Sequence, residues 1–572
     1  MVIVLVTMGF WGKSLSAQDT KAKEEGYPVL LAGRYLNVPI KTGAPKLALR
    51  LRVEGKVVRE FPVEYATENP DFWVFVDVSS WRGKTGLVEN GTQSDASADL
   101  SKITSSDLIK SHTPIYGERL RPQFHYTSKR GRLNDPNGLV YFGGEYHLFY
   151  QLHPYGWGSA NKHWGHAITR DLVHWEEQAI ALYPDALGEM FSGSGVVDWN
   201  NTSGFQTGRE PPLVLIFTGA KHPRTQGLAY SNDRGRTWTK FPGNPVMPNI
   251  SRGNRDPKVI WHEPSKQWVM TLSVGYPQSK GQPPRQTIEI FTSGNLKSWT
   301  FQSRNEGFHE CPDLFELPID SDPSRTRWIL HGGSSKYQVG TFDGKSFVPE
   351  TPLLTGHRGN AFYAGQTFSD VPGGRRVQVG FAMSSGEVAK KIFANMPFNQ
   401  VITFPCDLTL RSTPDGPRLA WWPVPEIETL RVHTSTTGAM QLKSESSVAI
   451  PVASGLLDIT LEFEVKGGRG LTLSVLGTDL AYLNESQTLV CGETKIPLPS
   501  VDGRVSYRVL RDEGLIEIFA NKGLIYAPVS VVQPPAPDQA VQLTSPRGDV
   551  TVIRCEVSEM RSIWPPTATE LP

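Results

Sequence analysis

Cysteine is scarce in this chain of 572 residues. Only four are present, and no two of them form a CxxC pair or a spacing that suits a metal ion. The sequence therefore excludes a disulfide-stapled scaffold and a zinc site. It predicts single buried thiols and leaves open one disulfide, between Cys491 and Cys555. The four residues are Cys311, Cys406, Cys491 and Cys555.

An excess of charge of one sign is also missing. The chain has 58 Lys and Arg against 57 Asp and Glu, a formal net charge of +1, and the two signs are mixed along it. A nucleic acid or an anionic membrane needs clustered positive charge, so neither partner is expected. We find no metal motif, phosphate loop or nucleotide fingerprint, and we expect no cofactor and no metal. The oligomeric state stays open.

Long apolar runs are missing too, with one short exception. Met1 to Trp11 is apolar and is followed by the small residues Ser14-Leu-Ser-Ala17. This run is too short to span a bilayer, and no basic segment precedes it. We predict that residues 1–17 are a signal peptide, that the mature chain begins near Gln18, and that the protein is secreted or periplasmic. The alternative is an ordinary hydrophobic strand.

Glycine, proline and aromatic residues are plentiful. With 54 Gly, 44 Pro, 15 Trp and 17 Tyr, the composition favours an all-β protein rich in turns, and the length favours about two or three domains. A small N-terminal β domain with its linker is predicted over residues 24–113, where Lys46 to Val53 alternates with period two. The polar stretch 91–113 is predicted to be the linker.

From about residue 121 the sequence becomes periodic. Between residues 121 and 415 a strand, an Asp or Asn turn and an aromatic residue recur four times. Five strand beginnings with short motifs are interleaved with them at spacings of 53 to 64 residues, which is roughly the length of a four-stranded propeller blade with its loops. We predict a five-bladed β-propeller, with the innermost strand of each blade beginning at a central channel. Trp421 to Pro425 is predicted to be a stiff linker, and residues 430–562 a C-terminal β-sandwich.

Three acidic residues lie at the predicted beginnings of inner strands. They are Asp135 in Asn134-Asp-Pro-Asn-Gly138, Asp256 in Arg255-Asp-Pro-Lys258, and Glu310 in Glu310-Cys-Pro-Asp313. The propeller would bring all three to one end of the channel. Three carboxylates in one pocket repel one another and raise at least one pKa, which is typical of a catalytic site. The alternative for Asp135 alone is a connecting β-turn.

These motifs, in this order and spacing, resemble the three signatures of glycoside hydrolase family 32, over residues 121 to 560. The resemblance implies a retaining enzyme that cleaves β-fructofuranosidic bonds in fructans (levan or inulin) and in sucrose. Action from the chain end with release of fructose is expected, and internal cleavage stays open. It implies that Asp135 is the nucleophile, Glu310 the general acid/base and Asp256 the transition-state stabiliser. The N-terminal unit is similar to an accessory domain of some bacterial fructan hydrolases.

The resemblance also implies a set of substrate-binding residues. They are Asn134, Gln151, Trp157, Trp164, Phe191, Ser192 and Arg255. Three positions depart from the family pattern. Arg132 stands where a Trp is usual, His153 where an Asn is usual, and Ser159 lies where Trp-Gly-Asn is expected. Two aromatic walls at the pocket mouth are therefore missing, unless Trp157 replaces one, and the preference among levan, inulin and sucrose stays open.

Three other functions are compatible with parts of the sequence. The run from Ser231 to Trp238 fits the Asp-box of sialidases, but it is explained more simply as a structural turn. A fructan-binding protein without catalysis is disfavoured by the three acids. A fructosyltransferase would share the covalent intermediate of the hydrolase and stays an alternative.

Overall fold

The structure is a computed structural model that describes most of the chain. The described residues are 26–91, 99–251, 253–279, 281–382, 386–393, 395–465, 470–532 and 540–565. The predicted signal peptide, residues 1–17, lies outside them. The described residues form 43 strands and one α-helix, so the all-β prediction is confirmed. Among these residues, no helix is long and apolar enough to cross a membrane.

The N-terminal part is a small β domain of two sheets. One sheet has the order β1-β6-β3-β4 and the other β5-β2-β7. Buried residues alternate with partly exposed ones along β3, which places its apolar side chains in a core that the two sheets share. The strands are β1 Tyr27–Leu30, β2 Tyr35–Ile40, β3 Lys46–Val53, β4 Lys56–Glu64, β5 Phe72–Asp77, β6 Thr85–Asn90 and β7 Thr104–Ser106.

The centre of the chain forms a five-bladed β-propeller, as predicted. The first three blades are antiparallel meanders whose innermost strands are β8, β12 and β16. Their strands are β8 Gly131–Phe142, β9 Glu145–His153, β10 His163–Thr169, β11 Glu176–Glu177, β12 Met190–Val197, β13 Leu213–Gly219, β14 Thr225–Ser231, β15 Thr239–Lys240, β16 Arg255–His262, β17 Gln267–Tyr276, β18 Arg285–Ser293 and β19 Thr300–Glu306.

The last two blades begin with β20 and β25, and the fifth has the order β25-β26-β29-β30. In the fifth blade β25 lies beside β8 of the first blade, and β27 pairs with β8 in parallel. The elements are β20 Asp313–Ile319, β21 Asp322–His331, β22 Lys336–Phe342, β23 Phe347–Pro349, β24 Leu354–Thr355, β25 Tyr363–Thr367, β26 Val377–Ala382, α1 Gly386–Ile392, β27 Phe398–Asn399, β28 Val401–Ile402, β29 Cys406–Arg411 and β30 Arg418–Pro423.

The C-terminal part is a two-sheet β-sandwich around a shared apolar core, again as predicted. Its strands are β31 Arg431–Thr437, β32 Met440–Leu442, β33 Ser447–Pro451, β34 Leu457–Glu464, β35 Leu471–Val475, β36 Thr478–Leu483, β37 Thr488–Cys491, β38 Thr494–Pro497, β39 Arg504–Asp512, β40 Leu515–Ala520, β41 Ile525–Ser530, β42 Ala540–Thr544 and β43 Val550–Met560. Short 3₁₀ helices occur at Ser79–Trp81, Leu100–Lys102, Glu263–Ser265, Pro372–Gly374, Pro425–Leu430 and Asn521–Gly523.

Irregular backbone marks the same end of four inner strands. β-Bulges interrupt the pairing of β8, β12, β16 and β25 within a few residues of where each begins. Asp256, Cys311 and Ala364 adopt positive φ angles of 61°, 50° and 51° at this end. A bulge re-aims side chains, and a left-handed residue turns the chain sharply. The inner strands therefore begin with redirected side chains at one mouth of the channel.

A buried cluster joins the propeller to the sandwich. The imidazole of His125 lies between two sandwich carboxylates, with Nδ1 2.9 Å from an oxygen of Asp512 and Nε2 2.7 Å from an oxygen of Glu517. Burial opposes the protonated imidazole, but the two carboxylates outweigh it and raise the pKa of His125 to about 9. The two domains are thus held by a buried ionic contact as well as by a shared apolar core.

Parts of two predicted linkers lie in β-strands, and residues 92–98 of the first linker lie outside the described residues. Thr104–Ser106, inside the predicted linker 91–113, pairs with β2 as an edge strand. Trp421, in the predicted stiff linker, is buried in β30 and donates its indole N–H to Gln378. The polar composition of residues 91–113 and the prolines beside Trp421 both predicted irregular structure. Tertiary pairing overrides such local preferences. The four cysteines are free and buried, so the prediction of single thiols is confirmed and the disulfide is not formed. The predicted domain limits stay predictions.

Candidate active site

Asp135 lies on β8 directly before Pro136, at the mouth of the channel. Its Oδ2 accepts a hydrogen bond of 2.6 Å from the Ser192 hydroxyl and one of 3.3 Å from the Gln151 amide. Its Oδ1 accepts one of 3.0 Å from the Asn134 amide. Three neighbouring strands therefore fix the orientation of this carboxylate.

Asp256 lies deeper, with 5% of its surface exposed. Its backbone N–H donates to the Thr218 hydroxyl over 2.9 Å, and its Oδ2 accepts the backbone N–H of Cys311 over 3.2 Å. The Cys311 thiol lies between two of the carboxylates, 3.6 Å from Asp256 and 3.7 Å from Asp135. Asp135 and Asp256 thus converge on one small volume.

Glu310 lies in the turn before β20 rather than in the strand itself. Its Oε2 accepts two hydrogen bonds from the Arg255 guanidinium, of 2.9 Å from Nε and 2.6 Å from Nη2. Its Oε1 accepts a hydrogen bond of 2.5 Å from the Tyr363 hydroxyl. The Nε of Arg255 also lies 3.4 Å from Oδ2 of Asp256, so the same guanidinium forms ion pairs with both Glu310 and Asp256.

The environment separates the pKa values of two of these acids. Burial raises the pKa of Asp256 to about 7; Arg255 opposes the shift, and the neighbouring Glu310 and Asp135 add to it. Burial would also raise the pKa of Glu310, but Arg255 and the Tyr363 hydroxyl outweigh it and hold that pKa below its ordinary value. Divergent pKa values in adjacent acids are typical of catalytic sites.

Polar and aromatic groups surround the three acids. The Asn134 amide donates to Gln151 over 2.8 Å, and the Gln151 amide donates to Ser192 over 2.5 Å. Trp164 is fully buried and donates its indole N–H to the Phe191 carbonyl over 3.0 Å. Six of the seven predicted substrate-binding residues are thus connected to the carboxylates. Asn134, Gln151, Ser192 and Arg255 donate hydrogen bonds to them, Phe191 directly precedes Ser192, and Trp164 is connected only through the Phe191 carbonyl.

Trp157 is the exception. Its indole N–H donates to the Met396 carbonyl over 2.8 Å, and its ring packs against the core of the N-terminal β domain. Among the described residues it makes no hydrogen bond or ring contact with the three acids. Of the departures, Ser159 is exposed, and Arg132 is close enough to Asp135 for electrostatic interaction. Burial lowers the pKa of His153 to about 4, so this imidazole is neutral at pH 7.

Two cations that sequence reasoning missed lie beside Phe191. The Lys162 ammonium is 5.0 Å and the Arg224 guanidinium 5.1 Å from the centre of its ring. Lys162 also donates to Gln151, and the Nε of Arg224 has no hydrogen-bond partner among the described residues. Lys162 lies two residues before Trp164, a predicted substrate-binding residue, and this neighbourhood was the available signal. Arg224 lies in a loop without any pattern, so nothing in the sequence marked it.

The site consists of acids held by hydrogen-bond donors. Among the described residues, no group of three or more His, Cys, Asp and Glu side chains is arranged to hold a metal ion. A carboxylate at the channel mouth beside a second carboxyl group and a guanidinium can attack a sugar carbon, protonate a leaving oxygen and bind hydroxyl groups.

Comparison with known proteins agrees with this geometry. Residues 125–423 match the sequence profile of the Glycosyl hydrolases family 32 N-terminal domain. The chain belongs to glycosyl hydrolase family 32. The matched range begins at His125 and ends at Pro423, so it covers all five blades of the propeller.

Relatives and solved structures extend the similarity into the sandwich. The levanase of Bacillus subtilis (strain 168) is 37% identical over 81% of this chain and 74% of that enzyme. The extracellular exo-inulinase of Aspergillus ficuum is 29% identical over 79% of this chain and 97% of that enzyme. The crystal structure of the exo-inulinase from Aspergillus awamori matches with a TM-score of 0.69 and 26% identity, over 78% of this chain and 100% of that chain.

Proposed function

We propose that this protein is a retaining glycoside hydrolase that cleaves β-fructofuranosidic bonds in fructans and in sucrose, acts from the chain end and releases fructose. The observation that carries the proposal is the convergence of Asp135, Asp256 and Glu310 at one mouth of the channel. The levanase and exo-inulinase relatives support the substrate class, and the two exo-inulinases support action from the chain end.

In the proposed first step, Asp135 attacks the anomeric carbon of fructose while Glu310 protonates the departing oxygen. The bond between carbon and leaving oxygen breaks, and a covalent fructosyl ester forms on Asp135. In the second step a water molecule attacks the same carbon and gives its proton to Glu310, which frees Asp135. The hydrogen bonds from Ser192 and Gln151 support the first role, because they hold the attacking carboxylate in one orientation.

Glu310 must be protonated before it can act as the general acid, although Arg255 favours its ionised form in the free protein. Asp256, with a pKa of about 7, is the neighbouring acid that holds a proton near neutrality. Hydroxyl groups of bound fructose would donate to Asp256 and favour its ionised form, and the sugar would exclude water from Glu310. Substrate binding would thereby move the proton that Asp256 and Glu310 share from Asp256 to Glu310.

The proposed transition state carries positive charge on the sugar ring. The ionised Asp256 would stabilise that charge and hold the fructose hydroxyls, and Arg255 would offer further donors to the same hydroxyls. Asn134, Gln151, Phe191 and Ser192 are proposed to complete the fructose pocket, and the fully buried Trp164 is proposed to support Phe191 from behind. We further propose that the protein acts outside the cytoplasm, as its extracellular exo-inulinase relatives do.

One set of assays tests the proposal. Purified protein is incubated with levan, inulin and sucrose, and products are separated by chromatography while proton NMR follows the first turnovers. We expect fructose alone from the polymers, released as the β anomer before mutarotation. Early α anomer would contradict the retaining mechanism, a ladder of oligomers would contradict action from the chain end, and longer chains formed from sucrose would indicate a fructosyltransferase.

A further inference from the structure

A second cavity, of about 630 Å³, lies at the end of the propeller opposite the three acids. We call it the distal cavity; its walls include Trp199, Trp261, Trp268 and Trp328. Trp199 follows the end of β12, and Trp261 is near the end of β16, the strand that carries Asp256 near its beginning. At roughly 3.3 Å per strand residue, the five residues from Asp256 to Trp261 place the cavity roughly 15 Å from the acids.

Tryptophan rings form much of its wall. The rings of Trp261 and Trp268 lie edge to face with centres 5.0 Å apart, and Trp328 packs in the same way on Phe342. Trp199 is 58% exposed, which is unusual for so large an apolar ring. Its indole N–H donates to Asp370 over 3.0 Å, so the exposed ring is held in a fixed orientation. Rigid aromatic faces of this kind bind the apolar faces of sugar rings.

Polar groups stand between these rings. Asp370, Glu263 and Glu316 supply hydroxyl acceptors, and Arg376 supplies donors. The Nε atom of Arg376 is buried and has no hydrogen-bond partner among the described residues, although its Nη1 donates to Phe368 over 3.4 Å. A ligand that both donates and accepts hydrogen bonds would satisfy this guanidinium and the carboxylates together.

The charge of the lining narrows the ligand class. Three carboxylates line the cavity with one guanidinium, and Glu263 also pairs with Lys266, so the remaining excess of negative charge disfavours a phosphate, nucleotide or other anion. The polar groups disfavour a purely apolar ligand, because burying them without partners is costly. A neutral polyol with alternating apolar and hydroxyl faces satisfies both conditions. The volume lies within the usual range of small-molecule pockets, roughly 300–1,000 Å³.

We propose that the distal cavity is a second carbohydrate-binding site that holds a segment of fructan chain away from the catalytic residues. The carbohydrate class follows from the lining, and the choice of fructan rests on the proposed function. A polymer or branch bound there would raise the local concentration of chain ends near the active site. Sucrose is too small to occupy the distal cavity and the active site at the same time. The distal site therefore increases binding of long chains and leaves the chemical step unchanged.

Two variants test the site, with a matched control. Trp199→Ala and Trp261→Ala each remove one ring of the distal cavity. Trp422→Ala removes a Trp that is 38% exposed in β30 and lies outside the cavity. Binding to levan and to inulin oligosaccharides is measured by calorimetry in an Asp135→Asn background, and turnover of levan and sucrose is measured in the active background.

We expect Trp199→Ala to raise the KM for levan about fivefold, the effect of one sugar–aromatic contact, with kcat unchanged. Sucrose kinetics should stay within about twofold of the parent, and the binding isotherm should lose one class of sites. Trp422→Ala should change none of these. Thermal unfolding of each variant shows whether it is folded, and Trp261→Ala replaces Trp199→Ala if that variant is not.

Three results would overturn the inference. They are an unchanged KM for levan in both cavity variants, an equal loss on sucrose and levan, and equal binding of dextran in the cavity, which would reject fructan as the occupant. Failure of the proposed function is distinguishable from these, because it would abolish hydrolysis of both substrates. Loss of fructan binding in Trp199→Ala would support the distal site even then.

Discussion

The Arg255 guanidinium holds the Glu310 carboxylate in the free protein, with Nη2 2.6 Å from Oε2. The Tyr363 hydroxyl occupies the other oxygen of the same carboxylate, 2.5 Å away. Both donors stabilise the charged form of an acid that must be protonated when catalysis begins. The strength with which they hold it should therefore set the alkaline limit of activity.

The first prediction concerns Tyr363→Phe. Loss of the hydroxyl removes a donor to the ionised Glu310, so the pKa of Glu310 should rise, and the alkaline limb of kcat/KM should move to higher pH. Turnover should fall by about tenfold, the effect of losing one hydrogen bond of about 1.5 kcal/mol to a charged group. The pH profile with sucrose measures both effects.

Tyr230→Phe is the matched control for this prediction. Tyr230 stacks on Phe205 in the second blade, with ring centres 4.3 Å apart, away from the three acids. Loss of the Tyr230 hydroxyl should leave the pH profile unchanged. An alkaline limb that stays in place or moves to lower pH in Tyr363→Phe would show that Glu310 is not the group that titrates there.

The second prediction separates the roles of two carboxylates. Asp135→Asn should abolish turnover of every fructoside, because no other group can form the ester. Glu310→Gln should lower turnover of sucrose by roughly 10²–10⁴-fold, and it should spare an aryl fructoside with a good leaving group, which needs little protonation. Steady-state kinetics on both substrates measure the difference.

Asp415→Asn, a substitution in an exposed turn, serves as the control and should keep full activity. Thermal unfolding should show that both active-site variants are folded, since neither side chain lies in an apolar core. Equal losses for Glu310→Gln on natural and activated substrates would mean that another residue supplies the proton.

The third prediction concerns the missing aromatic walls. An aromatic ring against a sugar contributes about 1 kcal/mol, roughly fivefold in affinity. Sucrose cannot recover that loss elsewhere, whereas a polymer can through remote contacts. The ratio of kcat/KM for levan to that for sucrose should therefore exceed one, and Ser159→Trp should shift it toward sucrose by about fivefold.

Ser486→Trp adds the same exposed ring to the sandwich and should leave the ratio unchanged. Trp157 could replace a missing aromatic wall only if its hydrogen bond to the Met396 carbonyl were broken and its ring moved. If the parent protein turns over sucrose as efficiently as levan, a rearranged Trp157 provides the wall and the prediction fails.

The fourth prediction concerns stability and pH. The pKa of His125 is about 9 in the folded protein against about 6.5 in an unfolded chain, so folding favours the protonated imidazole. Its contribution is fully present below about pH 6.5 and is lost as the pH rises through about 9. The melting temperature should therefore fall over this window in the parent protein, and this part of the fall should be missing in His125→Gln.

At pH 6, His125→Gln should lower the free energy of unfolding by about 3 kcal/mol, because it leaves Asp512 and Glu517 buried without their cation. His433→Gln, at an exposed position of β31, is the control and should behave like the parent. Parallel pH dependence of the melting temperature in the parent and in His125→Gln would refute the ionic contact.

The sequence predicted the convergence of the three acids better than it predicted the residues around them. The spacing of Asp135, Asp256 and Glu310 follows the blade repeat, which is why a one-dimensional pattern predicted their convergence. Arg224 and the distal cavity were missed, because a loop residue and the far ends of strands carry no periodic signal. Trp421 was misjudged because the burial of a single Trp beside prolines depends on tertiary packing.

The contact between His125 and Asp512 joins residues 387 positions apart. A ribosome that adds roughly 5–20 residues per second needs roughly 20–80 s to pass from one to the other. During that interval the propeller lacks its sandwich partner, and the apolar surface of their shared core is uncovered. The nascent chain therefore reaches its stable, active form only near the end of its synthesis, and its early intermediates depend on protection from aggregation.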